Sequence, residues 1–194
     1  LIEDPWRIFL TTDHPNGGPF TSYPKVMAWL MSRPARERTL EKINKRAAQR
    51  SLLPSIDREY TLSELAVITR AGTARALGLG EKGHLGVGAD ADIAVYNVDT
   101  RSTDPSRDYK RYRRAFKKAA YTIKDGVVVV RDGVVVSPVK GRTYWVNVDA
   151  ASSHTVSEDM KRRFSEYWTV QFENYPVSED YLGRSHPISI ESEV

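Results

Sequence analysis

The sequence predicts an α/β region followed by a β region: a strand of the parallel barrel type with helices, a small β-layer or sandwich, and a C-terminal helical extension. The apolar run at 8–12 ends abruptly in a polar loop, as a parallel barrel strand does. Helical periodicity follows to about residue 80, and extended segments separated by Asp-Gly turns follow that. We therefore expect three parts, at 1–80, 81–149 and 150–194.

Composition excludes several classes of protein. The chain has 194 residues, of which 40% are hydrophobic and 28% charged, as in an ordinary globular domain. No apolar run approaches the roughly 20 residues needed to cross a bilayer, so no membrane association is expected. The absence of cysteine excludes disulfides, thiolate metal ligands and a thiol nucleophile. Histidines and carboxylates are then the strong metal ligands available.

The loop after the first strand is the candidate site. Asp13 ends that strand, at the face where barrel enzymes keep their catalytic groups. His14 is a candidate substrate contact, and Asn16, Gly17 and Gly18 would let the backbone approach a ligand closely. A structural alternative remains open, in which Asp13 caps the turn and the other residues only shape it.

The next segment reads as helices with recognisable ends. Tyr23-Pro24 predicts the start of a helix to about residue 31, and Pro34 the start of a second through Arg50, with Leu40, Ile43 and Ala47 buried. Thr61 and Glu64 have capping-box spacing for a helix to about Arg70. Gly72-Thr73 is expected to break this helix, and Gly78 to end a short recapped turn.

Two further motifs are weak. Gly78, Gly80 and Gly83 satisfy G-x-G-x-x-G, but the strand and helix around them are in the reverse order for a nucleotide site. Asp90 and Asp92 suggest paired carboxylates or a cation site, with turn formation as the simpler interpretation.

The β region is expected to contain a strand at 93–98, a meander with strands at 120–123, 127–130 and 134–136, and a further strand at 143–148 in the same layer.

Two clusters of residues stand out by their composition. The basic cluster at 110–118 is either a solvated face or a site for an anionic partner, and no nucleic-acid signature accompanies it. The aromatic helix at 158–172 is either buried on this chain or a subunit interface, and the tail from Tyr175 should wrap a surface or stay disordered.

These residues together resemble the amidohydrolase superfamily over about 8–136. The resemblance rests on the strand ending in Asp13, on Leu77-Gly-Leu79, and on Leu85-Gly-Val-Gly-Ala-Asp-Ala-Asp-Ile-Ala-Val95 with the Asp-Gly hairpins. More narrowly, the run from Thr12 to Phe20 with Tyr23-Pro24 is similar to the A-subunit family of formylmethanofuran dehydrogenases and formyltransferase/hydrolase complexes.

The resemblance implies that the chain holds the last strand and helices of a metal-dependent (β/α)₈ barrel, followed by a small β-sandwich part. It also implies a cytoplasmic enzyme of one-carbon metabolism that uses a divalent metal pair, with zinc the expected metal. Asp13 would bind a metal and transfer the proton of the attacking water, and His14, Asn16, Gly17 and Gly18 would contact substrate. The reaction would form or hydrolyse the N-formyl bond of formylmethanofuran, and the partners would be the other subunits of the complex and this small-molecule substrate. Two alternatives are a cyclic amide hydrolase of the dihydroorotase or hydantoinase kind and a docking module without catalysis.

The remaining metal ligands of that family have no counterpart in this sequence. The family's His-x-His pair, bridging lysine and two later histidines belong to strands before the last one, with which this sequence begins. His84, His154 and His186 lack ligand spacing. We therefore expect this segment to belong to a longer protein, and by itself to be inactive and to retain no metal.

Overall fold

A computed structural model describes residues 1–149, 153–169, 174 and 185–191. The chain divides into two compact units, Leu1–Val139 and Lys140–Val194, which are described separately. The helices of the first unit are α1 (Tyr23–Met31), α2 (Arg33–Leu40), α3 (Lys45–Arg50), α4 (Leu62–Ala66), α5 (Gly72–Ala76) and α6 (Tyr109–Phe116). Its strands are β1 (Ile93–Val95), β2 (Tyr121–Lys124), β3 (Val127–Arg131) and β4 (Val134–Val135), and short 3₁₀ turns occupy Pro5–Arg7, Phe20–Ser22 and Leu53–Ser55.

The predicted first strand is not formed in this structure. Ile8 has extended dihedral angles, but residues 8–12 pair with no strand among the described residues. The backbone N–H of Leu10 donates instead to the carbonyl of Ile68 at 2.9 Å. The apolar pattern describes a segment suited to a sheet, but a strand exists only where a neighbouring strand supplies the hydrogen bonds.

Helix α1 is confirmed, whereas the single predicted helix at 34–50 is wrong. It is divided into α2 and α3, because the Asn44 side chain accepts hydrogen bonds from the N–H groups of Arg46 and Ala47 and begins a new helix. The proposed buried line is also wrong at Ile43, whose side chain is exposed in the intervening turn, and at Ala47, which is exposed in α3.

The capping box of Thr61 and Glu64 is confirmed at the start of α4. The break expected at Gly72 is wrong, since α4 continues through a π-helical turn (Val67–Ala71) directly into α5, and Gly72 has helical dihedral angles. A Cβ on Gly72 would lie 3.0 Å from the Val67 carbonyl oxygen and 3.4 Å from the Phe9 ring. Glycine therefore allows close packing here, and the left-handed residue is Gly78, as expected.

The four strands form one antiparallel sheet in the order β1-β2-β3-β4. Asp125 and Gly126 in the first hairpin and Asp132 and Gly133 in the second all have positive φ, which suits the right-handed twist of the strands. The predicted meander is confirmed, but β1 ends at Val95 and the strand expected at 143–148 is not part of this sheet.

The core of the first unit lies between α1, the α4–α5 helix and α6. Its most deeply buried members include Met31, Ile68 and Tyr112, and the Tyr112 hydroxyl lies 2.9 Å from Thr103 Oγ1. Arg36 is also buried, and its guanidinium donates to the backbone carbonyls of Trp29, Ile56 and Arg58. This arginine therefore joins the end of α1 to the segment before α4.

The second unit contains β5 (Thr143–Asp149), α7 (Ser153–Tyr167) and β6 (Ser185–Glu191). The two strands pair in parallel, from Thr143 opposite Ser185 to Asp149 opposite Glu191. The tail, which was expected to wrap a surface or stay disordered, forms a strand over 185–191. Tyr167 and Trp168 are exposed, while Phe172 lies outside the described residues, so a subunit interface at this helix stays a prediction.

Across the described part of the chain, none of the helices combines the length and apolar character that a membrane span requires.

The domain boundaries at 80 and 149 that the sequence predicts stay predictions, as does the barrel.

Candidate functional site

The loop after Thr12 folds tightly around Asp13. The backbone N–H groups of Gly17 and Gly18 donate to the Asp13 carbonyl oxygen at 2.7 and 3.1 Å. A Cβ on Gly17 would lie 2.9 Å from Asp13 Cβ and 3.1 Å from its Oδ2. Glycine is therefore needed at position 17, because its backbone passes directly against the Asp13 side chain.

The Asp13 side chain is exposed and does not cap the turn. The turn is closed by its carbonyl oxygen, and within residues 1–149 no hydrogen-bond donor is assigned to its carboxylate. The turn thus forms without the carboxylate, which leaves both oxygens able to accept a proton or to bind a cation. Thr12 Oγ1, immediately before it, is buried without a hydrogen-bond partner among the described residues.

His14 is fixed by two contacts with Phe20. The Phe20 N–H donates to His14 Nδ1 at 3.3 Å, and the two rings stack with centroids 4.2 Å apart and planes 6° from parallel. The peptide bond between His14 and Pro15 is cis. Because Nδ1 accepts a hydrogen bond, we assign the proton of the neutral imidazole to Nε2, which can donate to a ligand.

The structure brings the five sequence-predicted residues onto one exposed turn. Asn16 lies at its tip and Gly18 next to Asp13. Their roles as metal ligand and substrate contacts stay predictions, because the turn would need the same internal contacts in order to fold even if it bound no ligand.

Asp13 suits a divalent metal as one oxygen ligand, but it does not make a centre alone. The described residues contain one group of three acidic or histidine side chains close enough to share an ion, and it lies elsewhere, at Asp90, Asp92 and Asp125. A metal bound by Asp13 would therefore need further ligands from outside the described residues.

The acidic group at Asp90, Asp92 and Asp125 is bridged by two lysines. Lys82 Nζ lies 2.5 Å from an Asp90 oxygen and 2.7 Å from an Asp92 oxygen. Lys124 Nζ lies 3.1 Å from Asp92 and 2.8 Å from Asp125. These ammonium groups occupy the positions that a cation would take, so the cluster joins the loop before β1 to the β2–β3 hairpin. The sequence pattern identified the two aspartates of the loop but not their lysine partners.

The network changes the pKa of two members. Burial favours a higher pKa for Asp92, but hydrogen bonds from Lys82, from the Asp125 N–H and from Lys124 outweigh it and hold the pKa well below its usual range. For Lys124, burial lowers the pKa, but hydrogen bonds to Asp125 and Asp92 outweigh it and give a net increase. Each group is thus stabilised in its charged form.

The lowered pKa of Asp92 predicts a stability that depends on pH. A carboxylate with a depressed folded pKa stabilises the folded state above its unfolded pKa, near 3.9, and loses that contribution as the pH falls towards its folded pKa. We expect Asp92→Asn to lower the free energy of unfolding by about 2 kcal/mol at pH 7, since it removes charge-assisted hydrogen bonds. Urea unfolding from pH 7 to pH 3 should show the difference from wild type shrinking.

Asp132→Asn is the matched control, because Asp132 lies in the second hairpin turn and asparagine also tolerates its positive φ. A loss for Asp92→Asn that stays constant over this pH range would contradict an electrostatic role for the network.

The glycine-rich loop at 78–83 is shaped by its own contacts. His84 Nε2 lies 2.9 Å from the Gly80 carbonyl oxygen, and its Nδ1 accepts from the Gly86 N–H at 3.1 Å. His84 is therefore engaged in local turn structure on both ring nitrogens, in keeping with the weak nucleotide-site signal.

Comparison with known families matches residues 1–130 to the amidohydrolase family. The match covers more than half of the sequence, and the chain belongs to this family. The antiparallel sheet and the polar loop at Asp13 are therefore parts of an amidohydrolase-type protein.

Individual relatives narrow the comparison. The chain is 47% identical over 190 residues to Protein FwdA of Methanocaldococcus jannaschii, covering 96% of this chain and 33% of that protein. It is 40% identical over 150 residues to the A-subunit of the formyltransferase/hydrolase complex Fhc of Methylorubrum extorquens, covering 77% of this chain and 26% of that protein. The chain thus spans about a third or less of the length of these curated relatives.

A solved structure is also similar. It is the X-ray crystal structure of the formyltransferase/hydrolase complex FhcABCD from Methylorubrum extorquens in complex with methylofuran. The TM-score is 0.72 at 33% sequence identity, and the match covers 97% of this chain and 33% of that one. The resemblance inferred from the sequence, to the amidohydrolase superfamily and to its A-subunit members in these complexes, is confirmed.

Proposed function

We propose that these residues belong to an amidohydrolase-type subunit that forms or hydrolyses the N-formyl bond of formylmethanofuran. The observation that supports this most strongly is the 47% identity to Protein FwdA over 190 residues. This alignment covers 96% of the chain and therefore includes the whole Asp13 loop. The similarity to a complex crystallised with methylofuran points to the same class of substrate. Residues 8–12 would then pair with barrel strands supplied from elsewhere in the protein.

In this proposal Asp13 transfers the proton. A divalent metal pair, with zinc the expected metal, would supply Lewis-acid activation of water and of the formyl oxygen. In hydrolysis the water oxygen bonds to the formyl carbon and the C–N bond breaks, giving formate and the amine. Asp13 accepts the proton of the water and passes it to the leaving nitrogen, which suits an exposed carboxylate that is not used in the turn.

The rest of the loop would position the substrate. His14, held against Phe20, can donate from Nε2 to a substrate oxygen. Asn16 offers an amide, and Gly17 and Gly18 leave room for the substrate to approach the backbone. The loop would thus bind and orient the formyl group next to the proton-transferring carboxylate.

Assembly is part of the same proposal. The relatives include one component of a formyltransferase/hydrolase complex, and the similar crystal structure is of such a complex. We propose that the protein works in the cytoplasm with other subunits of this kind, and that the 194 residues alone neither catalyse nor retain the metal pair.

The test is a comparison of substrates with the full-length protein in its assembled form. We expect hydrolysis of an N-formyl amine, measured as formate release, and no turnover of a dihydropyrimidine-type cyclic ureide. Turnover of the ureide without formate release would replace the proposal with the cyclic amide hydrolase alternative.

A second sample, the 194-residue chain alone, tests the proposed inactivity. Stoichiometric bound zinc together with formate release from this chain would contradict it.

A further inference from the structure

We propose that a cationic cleft between α1, α2 and α6 binds a small multivalent phosphate compound. The cleft is lined by five basic side chains, Lys25, Arg38, Lys42, Lys110 and Arg113, together with the aromatic rings of Trp29 and Tyr109. Its volume is about 560 Å³, which is within the usual range for small-molecule sites. No residue of the Asp13 loop lines this cleft, although Lys25 and Arg113 also line a second cavity that includes Phe20. The proposal does not rest on the function proposed above.

The cations converge from three elements that are distant in sequence. Lys25 lies in α1, Arg38 and Lys42 lie in and just after α2, and the remaining two lie in α6, which packs against α1. The basic cluster at 110–118 therefore contributes only part of the charge. Its position on a folded helix completes a concave surface that the sequence could not show.

The five cations of the cleft have no direct acidic partner, although Glu41 lies close enough to Arg38 to interact with it electrostatically. No acidic side chain lines it, and none of its five cations forms an ion pair with an acidic group among the described residues. Elsewhere in the same unit lysines such as Lys82 and Lys124 are paired with aspartates. Like charges gathered around a concave surface repel one another and raise the local potential, which favours a bound anion.

Three contacts hold the lining side chains in place. The Trp29 Nε1–H donates to Thr39 Oγ1 at 2.9 Å, and Lys25 Nζ lies 4.8 Å from the centre of the Trp29 ring. Arg38 Nη1 lies 3.4 Å from the Tyr109 hydroxyl and donates to it. One wall of the cleft is thus ordered before a ligand binds, which reduces the entropic cost of binding.

The arrangement favours phosphate over carboxylate. Lysine and arginine groups from three directions match a tetrahedral group, which offers acceptor oxygens on all sides, better than a planar carboxylate. Five cations also exceed the charge of one phosphate, so a ligand with two or more phosphate groups fits best. Ala28, Ala35 and Ile43 add apolar lining for an organic part of the ligand.

The experiment is isothermal titration of the full-length assembled protein with pyrophosphate at fixed ionic strength, with citrate as a multivalent carboxylate for comparison. We expect saturable binding of pyrophosphate, weaker binding of citrate, and an affinity lower by about tenfold or more in the double variant Arg38→Gln/Arg113→Gln.

The control is Arg46→Gln/Arg50→Gln in the exposed helix α3, which removes the same charge from residues that do not line the cleft and should leave the affinity within about twofold. Thermal unfolding of each variant verifies that it is folded. Three outcomes would overturn the proposal: no saturable pyrophosphate binding, equal losses in the two double variants, or tighter binding of citrate than of pyrophosphate.

Discussion

Replacing Asp13 with asparagine in the full-length protein is expected to lower the rate of N-formyl hydrolysis by about 10²-fold or more. Asparagine has nearly the same shape but cannot accept and return a proton at neutral pH. The turn should survive, because the N–H groups of Gly17 and Gly18 bind the Asp13 carbonyl oxygen and not its side chain. The measurement is steady-state formate release, with circular dichroism to verify folding.

Asp57→Asn is the matched control, since this aspartate is 81% exposed and pairs with Arg33 away from the loop. Its activity should stay close to that of the wild type. If Asp13→Asn retained full activity while still folded, the role proposed for Asp13 would be wrong. Metal analysis of the variant separates lost metal binding from lost proton transfer, because only the second leaves the metal content unchanged.

Gly83→Ala is expected to cause the largest loss of stability, about 3 kcal/mol. Gly83 has a φ of +80°, where an L-residue is strained by about 1–2 kcal/mol. A Cβ there would also lie 2.9 Å from the Arg70 carbonyl oxygen and 3.0 Å from Ala71 Cα. Backbone atoms cannot rotate away, so the loop must separate from the π-helical turn at further cost. Chemical denaturation measures the change.

Alanine substitutions at two neighbouring glycines separate the conformational contribution to this loss of stability from the packing contribution. Gly88 has a φ of +88° with open space around it, so Gly88→Ala should show the conformational term alone, about 1 kcal/mol. Gly80 has open space and no positive φ, so Gly80→Ala should be neutral or slightly stabilising. Equal losses at Gly83 and Gly88 would show that the packing against the helix is unimportant.

Local sequence signals predicted local structure well. The Asp-Gly pairs predicted both hairpins, and the capping box of Thr61 and Glu64 predicted the start of α4, because each signal acts within a few residues. The prediction of one helix at 34–50 was wrong because the Asn44 side chain begins a new helix within a continuous periodic pattern. The prediction of a strand at 8–12 was wrong because a strand depends on partners that are distant in sequence.

Contacts between residues distant in sequence also limited what could be predicted of the candidate site. The Asp13 loop was recognisable because its residues are adjacent in sequence, although its proposed metal partners are not among the described residues. Lys82, which bridges Asp90 and Asp92, and Lys124, which bridges Asp92 and Asp125, come from either side of β1, so no local sequence pattern joins them. The cationic cleft likewise combines Lys25, Arg38 and Arg113 from three helices, so only its α6 part was visible as a run of basic residues.

The parallel pairing of β5 with β6 has a consequence for the order of folding. Thr143 pairs with Ser185, so the second unit must close a long loop before its strands exchange any hydrogen bonds, whereas the hairpins of the first unit close through two-residue turns. During synthesis on the ribosome, the sheet of β1–β4 would form first, and β5 would pair only once β6 has been synthesised. Pulse-labelling hydrogen exchange should accordingly show protection of β2 and β3 before β5.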